Sequence, residues 1–282
     1  MYSFSTSVND TIQNASPSQS DWIFHHILDS RELSLQPITT IQLPEISLFG
    51  LDISITKHVV YLWIVAVFLI ITLILSARKY NKTLIPKGFS NLIEIIIVFI
   101  RDEIVKPTVG EKYKKYLPYL LTVFFFIISC NIIGLLPYGS TPTGNLAVTA
   151  TLAIFSFFAI QISGILQHGI VGYFKGLAPK GINPLLLIII IPIEILSLFT
   201  KPFALAIRLF ANMTAGHIAL MVLLSIIFLF KKFLFAEIAV IPMSIAFSIF
   251  IDLLEILVAL IQAYIFTMLT SLFIGLAIHQ EH

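Results

Sequence analysis

An arginine lies near the middle of a long apolar stretch, residues 185–230. This residue, Arg208, belongs to the segment K-P-F-A-L-A-I-R-L-F-A-N-M-T-A-G-H at residues 201–217. A guanidinium stays protonated at any accessible pH, and a charge at membrane depth is energetically costly. Because packing gives no reason for such a charge, we expect Arg208 to act on a functional partner of opposite charge.

Further polar side chains interrupt two very long apolar segments, residues 184–230 and 235–278. The ionisable ones that stand well inside these segments are Glu194, Lys201, Arg208 and His217 in the first and Asp252 and Glu255 in the second, with Asn212 and Gln262 as polar neighbours. Polar groups therefore lie on both sides of Arg208 along the chain. This arrangement suits two aqueous half-pathways that are separated by a fixed positive charge.

Helical geometry indicates which of these residues share a face. Glu194 and Arg208 are 14 residues apart, which places them within about 40° of one face and about 21 Å apart along the helix axis. Asn212 follows Arg208 by one turn on the same side. Glu255 and Gln262 are seven residues apart and share a face of the last helix. On each of the two long helices, these polar side chains are therefore expected to share one face.

Each residue also has a structural explanation when it is taken singly. Arg208 could pair with Glu255 for stability alone, and His217 could be a hydrogen-bonded interior histidine. Glu194 could be hydrated at the cytoplasmic interface, and Asp252 could be a mere partner within its cluster. Six ionisable groups in two hydrophobic segments nevertheless favour a functional explanation over a purely structural one.

The composition excludes several classes of protein. Of the 282 residues, 58% are hydrophobic and only 11% are charged, with a mean hydropathy of +0.98. These values are typical of an integral membrane protein, since soluble domains have about 25% charged residues. A net charge of +2 does not suggest nucleic-acid binding, and the single cysteine excludes an intramolecular disulfide. The pair His25–His26 is a weak metal motif, so we expect neither a metal nor a cofactor.

The chain is expected to consist of a polar N-terminal arm, residues 1–54, and a membrane domain, residues 55–282. The arm lacks the pattern of a signal peptide and contains a possible short amphipathic helix at residues 21–30. A surface helix is predicted at about residues 91–106, with Asn91 as its cap and Pro107 at its end. The predicted spans are residues 58–77, 117–137, 146–168, 184–230 and 235–278.

The topology leaves one alternative open. The basic loop after the first span predicts an N-terminus on the outer side, although Lys231 and Lys232 would then also lie outside. The last two segments are each about twice as long as a perpendicular span requires. They are therefore either two tightly turned pairs of spans or two single helices that are steeply tilted.

Three segments together resemble a known family. They are residues 200–217, the segment L-L-E-I-L-V-A-L-I-Q-A-Y-I-F-T-M-L at residues 253–269, and N-I-I-G-L-L-P-Y at residues 131–138. The combination resembles subunit a of the rotary F-type ATP synthases over about residues 55–278. The resemblance implies an all-α integral membrane fold with about five crossings and a cytoplasmic surface helix. Its last two helices would be long and steeply tilted, and would wrap around a ring of c subunits.

The resemblance also implies roles for individual residues in proton translocation. Arg208 matches the arginine that faces the c-ring, and Gln262 matches the glutamine beside it. Asn212, His217 and Glu255 match the half-channel that opens to the outer side, whereas Glu194 matches the half-channel to the cytoplasm. Asp252 has no counterpart that the family assigns, and we include it as a candidate because it lies one turn before Glu255.

The resemblance finally implies partners and a location. The expected partners are the c-ring, the peripheral-stalk subunit b, other ATP synthase subunits and membrane lipid. No G-x-x-x-x-G-K-S/T loop occurs, so ATP chemistry is expected on partner subunits and this chain is expected to be non-catalytic. The expected location is the bacterial cytoplasmic membrane, with the mitochondrial inner membrane as the alternative. A secondary transporter with a midplane site is the alternative function, but no internal repeat supports it.

Overall fold

The computed structural model describes residues 29–30, 32–35, 39–45, 47–48, 51–52, 54–82, 88–136, 139–176, 184–230 and 234–279. By clustering of contacts, the chain divides into two compact units. One comprises Met1–Lys57 with Thr214–Leu253, and the other comprises His58–Met213 with Leu254–His282. The possible amphipathic helix at residues 21–30 lies almost wholly outside the described residues, and so do Lys231 and Lys232.

Among the described residues, four short strands precede the helix that begins at Lys57, and the sequence did not indicate them. Strands β1 (Glu32–Leu35) and β2 (Thr39–Gln42) form an antiparallel pair in which Glu32 lies opposite Gln42. Strands β3 (Ser47–Leu48) and β4 (Leu51–Asp52) form a second antiparallel pair. The predicted polar arm therefore contains backbone pairing in addition to coil.

Apart from these strands, the regular structure of the described residues is helical. Helix α1 spans Lys57–Lys82 and α2 spans Phe89–Phe99. A π-helical turn at Ile100–Val105 leads into the short α3, Lys106–Val109. The remaining helices are α4 (Tyr113–Gly134), α5 (Leu146–Gly176), α6 (Pro184–Phe230) and α7 (Leu234–Ile278). By length and composition, five helical stretches of the described residues can cross a membrane, as the sequence predicted.

The predicted surface helix has different ends from those expected. It begins at Phe89 after Gly88, which has a φ of 63° and provides no side-chain cap, so Asn91 lies inside the helix and is not its cap. Helical structure also continues past Pro107, because this proline occupies the first turn of α3, where its missing N–H is not needed. The break comes at Gly110, with a φ of 74°.

Each of the two longest apolar segments forms one helix. Helix α6 contains 47 residues and continues through Pro192 and Pro202, and α7 contains 45 residues and continues through Pro242. A perpendicular span needs about 20 residues. The structure therefore confirms the alternative of single long helices over that of tightly turned pairs.

The core of the larger unit forms where α6 and α7 pack with the segment from α2 to α4. It contains Ile100, Ile104, Val109, Leu120, Phe124, Ile127, Leu205, Leu209, Ala263, Phe266 and Ile274. Small residues allow close approach: a Cβ at Gly275 would lie 2.0 Å from the carbonyl oxygen of Thr108. One turn earlier, the hydroxyls of Thr108 and Ser271 are 2.6 Å apart. Such contacts are typical of helices in membranes. Apolar burial does little to stabilise helix association there, because the lipid is apolar too, so close packing and hydrogen bonds between helices contribute instead.

Candidate functional site

Arg208 lies on the exposed side of α6, within the larger unit. The opposite side of this helix is in the core, since Leu205, Leu209 and Met213 recur at helical spacing with exposed fractions of 2%, 0% and 1%. Asn212 follows Arg208 by one turn and is exposed as well. The packing of α6 thus turns the arginine away from the protein interior and towards the surface of the unit.

An amide pair joins α6 to α7 one turn beyond the arginine. The Nδ2 atom of Asn212 donates to Oε1 of Gln262 at 2.9 Å. Gln262 is only 3% exposed and lies between the fully buried Ala259 and Ala263. This bond fixes the register of the two helices beside Arg208. The structure therefore brings together three of the residues that the sequence singled out.

Glu194 is located in a different environment, beside a cavity of about 300 Å³ in the same unit. The polar side chains that line the cavity are Gln161, Tyr173, Glu194 and Lys201, and its apolar lining includes Phe157, Leu198, Phe273 and Leu276. The Nζ atom of Lys201 lies 5.1 Å from the centre of the Phe273 ring, within range of a cation–π contact. The cavity thus holds one carboxylate, one ammonium and two neutral polar groups.

Two of these lining residues, Gln161 and Tyr173, were not predicted. They come together because α5 is interrupted at Gly169, whose φ of 71° and ψ of 166° are not helical. The hydroxyl of Tyr173 donates to Oε1 of Gln161 at 2.8 Å, although in a straight helix residues 12 apart are separated by about 18 Å. The only signal in the sequence was Gly169 itself, and a single glycine in an apolar helix does not reveal a fold-back.

The sequence marked Lys201 only as one of the ionisable residues of the first long segment. Its position in the structure is half-buried, beside the cavity that contains Glu194. Both residues lie on α6 and are seven residues apart, so the helix presents them on one side. Their common orientation could have been derived from spacing, but the cavity itself depends on α5 and α7.

The other candidate residues lie in different surroundings. Glu255 belongs to the larger unit and is 4% exposed. His217 and Asp252 belong to the smaller unit, where His217 is half-buried and Asp252 is exposed. The pairing of His217 with Glu255 stays a prediction. Among the described residues, no group of three His, Cys, Asp or Glu side chains could hold a metal ion.

Comparisons with known proteins agree with the motifs. A family model described as ATP synthase A chain matches residues 59–275. The proteins named ATP synthase subunit a in Chloroherpeton thalassium and in Chlorobium phaeobacteroides strain DSM 266 are 50% and 54% identical to this chain. Those alignments cover 92% and 93% of this chain and 77% and 76% of the two relatives. ATP synthase subunit a of Myxococcus xanthus is 46% identical over 82% of this chain and 75% of its own length.

Proposed function

Because the chain belongs to the family of ATP synthase A chains, we propose that it is the proton-translocating stator subunit of an F-type ATP synthase. It is a multi-pass membrane protein that works with other subunits of the complex. The finer assignments are a bacterial cytoplasmic membrane, a c-ring and a peripheral-stalk subunit b as partners, and no catalytic role of its own in ATP chemistry.

The observation that carries the proposal is the exposed position of Arg208. This permanent cation lies on an apolar helix with its side chain directed away from the core. In hydrocarbon an unpartnered guanidinium is strongly disfavoured. A carboxylate on a neighbouring subunit can neutralise this charge. A carboxylate that moves past Arg208 can lose its proton there and then move on. A rotating ring of c subunits presents such carboxylates one after another.

The proposed mechanism follows from electrostatics. A proton enters from the outer side along His217, Glu255 and Asn212, and Asp252 is a further candidate residue whose role in this path stays open. It neutralises a ring carboxylate, which can then turn into lipid because a neutral carboxyl is much less costly there than a carboxylate.

Release occurs on the other side after nearly one rotation. Close to Arg208 the ring carboxylate becomes ionised again, since a nearby opposite charge favours the charged form. Its proton leaves through the cavity that Glu194 lines. Arg208 also repels free protons and so prevents a leak between the two half-channels. A transmembrane potential supplies about 2.3 kcal/mol per charge for every 100 mV.

The test is the replacement Arg208→Ala in the complete ATP synthase. We expect proton-driven ATP synthesis in membrane vesicles to fall to background, while an immunoblot shows normal amounts of the chain in the complex. Arg78→Ala is the matched control, because Arg78 is an exposed arginine near the end of α1 and should be dispensable for synthesis. Near-normal synthesis with Arg208→Ala would refute the proposed function.

A further inference from the structure

The fold-back at Gly169 has a consequence for the cavity beside Glu194. Because the chain reverses there, Tyr173 is brought against the preceding part of α5. Its ring covers Gly164 so closely that a Cβ at this glycine would lie 2.3 Å from the ring. Tyr173 is 1% exposed and contacts Gln161 through its hydroxyl. Close packing and a hydrogen bond thus fix the side chain in one position.

Gln161 is left with an unused donor. Tyr173 donates to its Oε1 atom, whereas its Nε2 atom is buried and has no hydrogen-bond partner among the described residues. A buried N–H group without an acceptor is unfavourable, so such a group in a native protein needs an explanation. Gln161 lines the same cavity as Glu194, and the Glu194 side chain is only half-buried and sits on a flexible stem.

We propose that Gln161 donates a hydrogen bond to the ionised carboxylate of Glu194 in the inward half-channel, and that Tyr173 is the positioning residue that holds Gln161 for this task. The proposal rests on the proposed function and adds two residues to the proton path. The free Nε2–H donor of Gln161 is used when Glu194 has passed its proton to the cytoplasm and is ionised. A carboxylate accepts such a bond more strongly than a neutral carboxyl group does.

Two other titratable groups line the cavity with Glu194, namely Lys201 on the same helix and Tyr173 on α5. Helix α7 contributes only Phe273, Leu276 and Ala277 to the lining. Removal of the Gln161 side-chain amide therefore removes one hydrogen bond that stabilises the ionised form of Glu194, while Lys201 remains in place.

The expected effect is a change in the pH dependence on one side of the membrane. Proton release requires Glu194 to pass its proton to the cytoplasm, so ATP synthesis falls as the cytoplasmic pH falls. Gln161→Leu removes a donor to the charged form and should raise the midpoint of this fall by about one pH unit, the magnitude of a hydrogen bond to a charged group. The pH dependence on the outer side should not change.

The measurement uses complete ATP synthase in liposomes with its ATP-forming part outside and a fixed potassium diffusion potential. The external pH then corresponds to the cytoplasmic side, and the rate of each variant is divided by that of the unmodified complex at the same pH. Gln167→Leu is the matched control for the amide, since Gln167 bonds to Lys112 outside the cavity. Tyr119→Phe is the control for the hydroxyl, since it bonds to Ser156 at 3.2 Å.

Tyr173→Phe separates positioning from mere packing, because it keeps the ring against Gly164 and removes only the hydroxyl. We expect a smaller shift in the same direction as for Gln161→Leu. The double variant should shift no further than Gln161→Leu alone, because Tyr173 acts through Gln161. Rate ratios of Gln161→Leu that are constant across pH, or additive shifts in the double variant, would overturn the inference. Arg208→Ala in the same preparation tests the proposed function separately.

Discussion

Two cations on α6, only seven residues apart, occupy opposite environments. Lys201 is half-buried beside a cavity, where the Phe273 ring and the Glu194 carboxylate line the same space. Arg208 is exposed on the surface of its unit, and the nearest fixed polar contact is the amide pair one turn away. The cavity thus has polar side chains of one chain in its lining, whereas Arg208 lies on the surface of its unit, where we propose that a partner supplies the opposite charge.

This difference explains why the two positions use different side chains. A lysine is a flexible point charge that serves well among water and other polar groups. An arginine keeps its proton on burial and presents a planar fork to a carboxylate. If a ring carboxylate repeatedly docks at Arg208, the fork and the permanent charge both matter. In the cavity we expect only the sign of the charge to matter.

The largest effect should come from Arg208→Lys, which keeps a positive charge but loses the fork. We expect ATP synthesis in vesicles to fall to background or nearly so, because a buried ammonium can also lose its proton. Lys201→Arg is the reciprocal change and should retain most of the activity. Equal losses of ATP synthesis from both changes would mean that the exposed position of Arg208 and the cavity beside Lys201 do not differ in what they require of the side chain.

A strong effect is also expected at the outer half-channel, where the sequence places His217 and Glu255. Each single alanine variant should slow proton flux strongly if the two residues form one relay. The exchange of both, His217→Glu with Glu255→His, should recover more flux than either half of the exchange alone. Simple additivity in the double-mutant cycle would instead mean that the two sites act independently.

A moderate and unequal effect on stability is expected at the amide pair. Asn212→Leu leaves the buried Oε1 of Gln262 without its donor, which costs about 1–3 kcal/mol. Gln262→Leu should destabilise the chain less, because the exposed Asn212 can bind elsewhere. Thermal release of the chain from the solubilised complex measures both, with the exposed Asn91→Leu as control. The reverse order would contradict the described burial.

The parts of the molecule that could be predicted from sequence are those that depend on local pattern. The apolar segments predicted the long helices, which the structure confirms. The charges within them made Arg208, Glu194 and Glu255 candidates, because an ionisable residue in such a segment stands out whatever it packs against, and their roles stay predictions. The ends of the surface helix were wrong because Pro107 fits a first helical turn as well as it ends a helix. Gly110, which ends the helix there, cannot be told from any other glycine by sequence alone.

The lining of the cavity could not be predicted, for a different physical reason. Tyr173 meets Gln161 only because one glycine takes up a conformation that side chains with a Cβ rarely adopt. The sequence shows that Gly169 has this freedom but not that it uses it. The exposure of Arg208 was equally hidden, because the helix face that packs inwards depends on Leu205 and Leu209 meeting partners from other helices.

The smallest effect on activity is expected from single cysteines that report which side each region opens to. The background needs Cys130→Ser, which should be tolerated because the thiol is buried in the core and has no predicted role. Ser197→Cys, close to Glu194, should react with a membrane-impermeant thiol reagent that is added from the cytoplasmic side.

Thr214→Cys, close to His217, should react when the same reagent is added from the outer side. The Thr214 hydroxyl is buried and has no hydrogen-bond partner among the described residues, so the change loses no known bond. Since the thiolate is the reactive form and needs water to be generated, labelling measures aqueous access and not mere proximity. Labelling of both cysteines from one side would refute two separate half-channels, even if Arg208 proved essential. Labelling from opposite sides would place Arg208 between two separate water-filled routes.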